Sequence, residues 1–189
     1  DISELPEKQS ICTSRSFPDN GLSELVVVEE AMANFAASCV RKLRGQKSRC
    51  NQLTVFAYTS RFRNDVPNHT INRTVTLPIP TNDQLELVAA AVQALRSEWR
   101  EDGKYHYKKA GVIVWDISSD TAVQTVLFDP IDRAKQARLS AAIDAINRRN
   151  GFNTVKVAVQ GTDKRWHLKC EHKSAQYSTN LSEVIKVKV

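Results

Sequence analysis

The sequence predicts an α+β domain over residues 7–117: a four-stranded sheet with two helices on one face, in the order β-α-β-β-α-β. Two observations predict it. Two stretches repeat apolar residues every three or four positions, as amphipathic helices do, and four stretches alternate with period two, as strands do. A third observation extends the chain. Residues 131–189 hold another helical stretch and more alternation, predicting a small α-β-β unit behind a linker at 118–130.

The first strand spans Glu7 to Phe17, with Ile11, Thr13, Arg15 and Phe17 alternating against Ser10, Cys12, Ser14 and Ser16. Pro18-Asp19-Asn20-Gly21 turns the chain. A helix follows from about Ser23, its expected cap, to Arg44, with Val28, Met32, Phe35, Cys39 and Leu43 on one face and Gly45 to stop it. Gln52 to Ser60 and Ile71 to Leu77 are the second and third strands, the latter ended by Pro78 and Pro80. Thr81 or Asn82 opens a second helix to about Arg100, with Leu85, Val88, Val92, Leu95 and Trp99 inward. Tyr107 to Ile117 is an apolar fourth strand.

In the C-terminal unit a helix from about Asp132 to Arg149 turns Leu139, Ala142, Ile143 and Ile146 inward. Val155, Val157 and Val159 predict a strand, and Trp166, Leu168 and Cys170 its hairpin partner. A unit this short is marginal alone, so docking onto the first domain or a partner is expected.

The chain has 189 residues, 41% of them hydrophobic and 25% charged, as in a soluble globular protein. No apolar run is long enough to span a membrane, and the acidic, polar start lacks the pattern of a secretory signal. The missing initiator Met suggests a piece of something longer. Cys12, Cys39, Cys50 and Cys170 are widely and irregularly spaced, which fits a reduced cytosolic chain better than a disulfide framework. The net charge is +6, of which residues 1–117 carry +1 and residues 118–189 carry +5. A basic balance suits an anionic partner such as nucleic acid, and equally suits plain solubility.

No catalytic constellation stands out. Six dispersed glycines make no phosphate-binding loop. His167, Cys170 and His172 are close in sequence, but a strand sends His167 and Cys170 to opposite faces and no second cysteine pair completes a zinc site. Asp116, Asp120, Asp129 and Asp132 flank the linker as solvating residues rather than a two-metal cluster. The pattern is that of a binding piece with no metal or cofactor of its own.

Three features suit binding. Ser14 and Ser16 share the sheet face not covered by helices with Asn72, Thr74 and Thr76, and Lys108 and Lys109 supply charge beside them. Short hydroxyls let a phosphate backbone approach closely, although any solvent-facing sheet shows the same alternation. The run from Arg41 to Arg49 holds five basic residues and no acid, either complementing the helix C-terminus or contacting phosphate. Gln124-Thr125-Val126-Leu127-Phe128 places adjacent Leu and Phe in a polar linker, which suits either a peptide docking in a partner's groove or a strap packed on the core.

Taken in order, these residues resemble the C-terminal region of the UmuC-like Y-family translesion DNA polymerases, across nearly the whole chain. Ser14-Arg15-Ser16-Phe17 and Lys108-Lys109-Ala110-Gly111-Val112 resemble the first and last strands of that family's little-finger domain. Gln124 to Phe128 is similar to its sliding-clamp-binding peptide, Gln-x-x-Leu-Phe. Ala145 to Arg149, Ala158 to Gly161, Trp166 and Tyr177 to Thr179 resemble its small C-terminal unit.

The resemblance implies a little finger at 1–117, a linker with a clamp-binding peptide at 118–130, and a C-terminal unit at 131–189. It implies that the palm, with its Mg²⁺-binding carboxylates, lies upstream, so that this part does not polymerise alone. The implied task is gripping primer–template DNA during damage bypass in the bacterial cytoplasm, at the nucleoid. The implied DNA contacts are Ser14, Arg15, Ser16, Asn72, Arg73, Thr74, Thr76, Lys108 and Lys109; the implied clamp contacts are Gln124, Leu127 and Phe128. Cleaved UmuD dimer and RecA are implied partners of the C-terminal unit.

Two rival readings share these features. An RNA-recognition motif shares the element order but needs aromatics on its central strands. Phe56 and Tyr58 meet that need on the second strand, and the third strand, without an aromatic, does not. A protein-interaction scaffold would leave the sheet face inert and act through the linker peptide.

Overall fold

A computed structural model describes residues 8–63, 65–100, 103–121, 129, 131–162, 165–168 and 173–185. The elements are β1 (Ser10–Ser16), α1 (Leu25–Gly45), β2 (Ser48–Thr59), β3 (Thr70–Thr81), α2 (Gln84–Glu98), β4 (Tyr107–Ser119) and α3 (Arg133–Asn150). The fold is α+β, with one antiparallel sheet in the order β1-β4-β2-β3. Each helix of the sheet domain joins two strands that run the same way with another strand between them. β4 separates β1 from β2, and β2 separates β3 from β4.

α1 forms where the apolar spacing predicts it, and Val28, Met32, Phe35, Cys39 and Leu43 are all buried. Its start differs from expectation. Glu24, not Ser23, is the N-cap, with no side-chain cap bond. Past its end, Lys47 takes φ 53°, and Ser48 Oγ donates to the Leu43 carbonyl, so the turn closes without a left-handed glycine.

α2 is capped by Asp83 rather than Thr81 or Asn82, its carboxylate accepting from Leu85 N and Glu86 N. The helix buries Leu87, Ala91 and Ala94 beside the expected Val88, Val92 and Leu95, whereas Leu85 stays exposed. Inward from the sheet come Ile11, Leu53, Val55, Ala57, Ile71, Ala110, Val112 and Val114, closing one core against α1 and α2.

β3 does not stop at Pro78. It continues to Thr81, because β3 is an edge strand and the prolines fall where pairing lapses: Gln52 faces Thr76, but Cys50 faces Thr81. A missing N–H costs nothing there.

The C-terminal region departs further from expectation. α3 matches, capped by Asp132, yet it buries no residue, and Leu139 and Ile146 stay exposed. Ion pairs and hydrogen bonds tether it instead: Arg133 to Glu86, Ser140 to Asp83 at 3.1 Å and Arg44 to Asp144 at 2.8 Å. The expected strand at Val155 to Val159 and its hairpin partner do not form among the described residues, and Cys170 lies outside them. In their place is a strap that carries a 3-10 turn, Ala158–Gln160.

The physical reason is a better offer from the helices than from a second strand. Gln160, fully buried, exchanges hydrogen bonds with Asn34 of α1, at 2.9 Å to the Gln160 carbonyl and 3.3 Å from its amide. Gln84 of α2 donates to its Oε1 at 2.9 Å. Trp166 packs edge-on against Phe35, ring centroids 5.5 Å apart, while its Nε1 donates to Glu30 at 3.1 Å. Val157 and Val159 pack against the same core. The strap lies on the helical side, and among the described residues none covers the other sheet face.

Candidate nucleic-acid interface

Antiparallel register fixes which side chains share the uncovered face. Four rows cross it. Ser16, Lys109, Tyr58 and Thr70 form the first; Ser14, Gly111, Phe56 and Asn72 the second. Cys12, Ile113, Thr54 and Thr74 form the third, and Ser10, Trp115, Gln52 and Thr76 the fourth. The sequence-derived residues Ser14, Ser16, Asn72, Thr74, Thr76 and Lys109 therefore meet on one surface, on both edge strands and one central strand.

Three residues implied as DNA contacts are held elsewhere. Arg15 pairs with buried Ala110 and borders a cleft with Glu30 and Asn34 of α1, on the helical side. Arg73 pairs with buried Val55 and lies 3.5 Å from Glu98 at the end of α2. Lys108 is the extra residue where the β2–β4 register shifts, and its Nζ donates to the carbonyls of Phe17 and Asp19 at 2.8 and 2.7 Å. It ties down the turn after β1.

Three residues of the basic run, all in the last turns of α1, are engaged with this chain. Arg41 stacks over the Phe152 ring at 4.2 Å, Lys42 donates to Thr13 Oγ1 at 3.0 Å, and Arg44 bonds the Asn82 carbonyl and Asp144. Gln124, Leu127 and Phe128 lie outside the described residues. Burial pushes the Cys39 thiol up and the Cys50 thiol up to about 12, so both are inert core groups.

The face also holds the aromatic pair expected on the second strand, joined by Trp115 of β4. Its centre is aromatic. Phe56 and Tyr58 lie with rings 6.4 Å apart and 15° from parallel, and Phe56 covers Gly111 on β4. A Cβ at Gly111 would meet Phe56 Cζ at 2.6 Å and Ser14 Cβ at 2.5 Å, so glycine is what lets this ring lie down. Trp115, 39% exposed, extends the apolar strip, and its Nε1 donates to Thr54 Oγ1 at 3.1 Å. The hydroxyls of Thr54 and Thr74 are bonded to each other at 2.9 Å.

The central strands are β4 and β2, and β3 is an edge, so the lack of an aromatic on β3 does not weigh against an RNA-recognition motif. Phe56, Tyr58 and Trp115 all stand on central strands. The parity of Trp115 with Lys109 was present in the sequence; the strand order that makes it matter was not.

Residues 8–127 match the model of the impB/mucB/samB family C-terminal domain, and residues 137–187 match a second model described as a domain of unknown function. The chain is similar to Protein UmuC of Salmonella typhimurium, 36% identical over 184 residues that cover 97% of this chain and 43% of that protein. Protein ImpB of Salmonella typhimurium is 34% identical over 180 residues, 95% of this chain and 42% of that protein. Protein MucB of Escherichia coli is 36% identical over 180 residues, 95% and 41% of the two chains. The chain thus spans less than half the length of these relatives. It belongs to the impB/mucB/samB family, of which the sheet and its two helices are the C-terminal domain.

Proposed function

We propose that this chain is the DNA-gripping C-terminal part of an error-prone translesion DNA polymerase, and that the uncovered sheet face is its contact surface. The observation that carries the reading is that the one broad face free of helices and strap gathers Ser14, Ser16, Asn72, Thr76 and Lys109. Small polar side chains allow a phosphate backbone to approach the sheet, and a damaged duplex keeps a regular backbone even where its bases are altered. Grip through phosphates therefore tolerates lesions that base readout would reject.

Catalysis belongs in this reading to a palm outside the chain, together with its Mg²⁺. Among the described residues no three His, Cys, Asp or Glu side chains stand together. Tethering to the sliding clamp through Gln124, Leu127 and Phe128 is part of the proposal, as are contacts of the C-terminal region with cleaved UmuD dimer or RecA. So is a place at the bacterial nucleoid; no helix among the described residues is long and apolar enough to cross a membrane.

Fluorescence anisotropy of a labelled primer–template duplex, titrated with the chain at several salt concentrations, tests the reading. Binding that weakens steeply with salt is expected. Equal affinity for an RNA hairpin, or no duplex binding at low salt, would overturn it.

A further inference from the structure

The aromatic centre of the uncovered face is poorly suited to phosphates and well suited to bases. Phe56 and Tyr58 sit on adjacent rows of β2, near-parallel, with the Phe56 ring laid over Gly111 in the middle of the sheet. Lys109 stands directly opposite Tyr58 and Asn72 directly opposite Phe56. A near-parallel ring pair offers stacking to an unpaired base, an amide offers hydrogen bonds to a base edge, and an ammonium holds the adjoining phosphate. In an intact duplex the bases are stacked on each other and show these rings only their edges.

Resting on the DNA-gripping reading, we propose that this face holds unpaired template bases stacked on Phe56 and Tyr58, so that it takes a single-strand–duplex junction in preference to blunt duplex. Shielding Gly111 accounts for Phe56 alone. It leaves unexplained why the Tyr58 ring lies near-parallel to it beside Lys109.

The test compares two labelled DNAs by anisotropy, a blunt duplex and the same duplex with a thymine overhang, on the 189-residue chain. The overhang is expected to tighten binding about tenfold, the scale of one or two base–aromatic stacks. Phe56→Leu with Tyr58→Leu is expected to remove that gain while blunt-duplex affinity stays within about twofold, and Tyr58→Phe to retain it. Equal wild-type affinity for the two DNAs, or a gain that survives the double leucine variant, would overturn the proposal and leave duplex gripping standing. Failure to bind either DNA would instead remove the parent reading and this one with it. Should the double variant not fold, a fluorescent adenine analogue in the overhang reports on the wild type. Quenching on binding is expected, and unchanged emission counts against stacking.

Discussion

Lys108 and Lys109 are neighbours in sequence with separate tasks: Lys109 stands on the uncovered face between Ser16 and Tyr58, while the Lys108 ammonium is held by the carbonyls of Phe17 and Asp19. Strand alternation sends them to opposite faces, and the register shift opposite Tyr58 and Thr59 leaves Lys108 without a partner on β2. Read as a string they are one basic pair; folded, only one is offered to an anion.

Lys109→Ala is therefore expected to lower duplex affinity and to reduce the slope of log K against log salt by about 1, as loss of one phosphate contact does. Lys108→Ala is expected to leave that slope unchanged and to cost about 1 kcal/mol of stability through the freed carbonyls. Anisotropy and urea denaturation of the two variants separate the roles. Equal slopes for both variants would refute the division.

A second expectation concerns the glycine beneath Phe56. Gly111→Ala places a Cβ against Ser14 Cβ and the Phe56 ring, and overpacking of this kind costs about 1–3 kcal/mol. Combining it with Phe56→Ala removes one of the two clashes. The double variant should then be less destabilised than the two single changes predict together, a coupling readable by thermal unfolding. Strict additivity would show that the ring does not rest on Gly111.

The strap makes a third. Trp166 fills a site against Phe35, and truncating a buried aromatic costs about 3 kcal/mol or more. Trp166→Ala is expected to free residues 155–162 and 165–168 from α1, with roughly a hundredfold faster protease cleavage there and slower change in the sheet domain. Cleavage mapped by mass spectrometry checks this. An unchanged rate would mean that the Gln160–Asn34–Gln84 bonds hold the strap unaided.

What could be read before folding, and what could not, follows from the range of the interactions. The α1 face from Val28 to Leu43 repeats within one helix, and five of the small polar residues on the uncovered face follow from strand parity, so both were legible. The placement of Arg15 and Arg73 on the helical side also follows from parity, since each alternates with residues of the open face. The strand order was not legible, because β4 reaches between β1 and β2 from far along the chain. The valines at 155, 157 and 159 carried a strand's period without a strand's partner. Asn34, Gln84 and Glu30, all distant in sequence, decided that segment's conformation.

Stability should also depend on pH through His69. Its Nδ1 lies 2.7 Å from the Tyr107 hydroxyl and its ring 4.9 Å from that of Tyr105. Burial, helped by the Arg100 cation and opposed by Glu98, holds its pKa below the ordinary 6.5. The unfolded chain thus takes up a proton near pH 6.5 that the folded chain still refuses. This contribution is fully present above that pH, is lost as pH falls from there toward the lowered folded value, and changes no further below it. Urea midpoints are accordingly expected to drop between about pH 7.5 and 5.5, and His69→Phe to flatten that drop. A wild-type midpoint constant across the interval, or a drop that His69→Phe leaves intact, would assign the proton elsewhere.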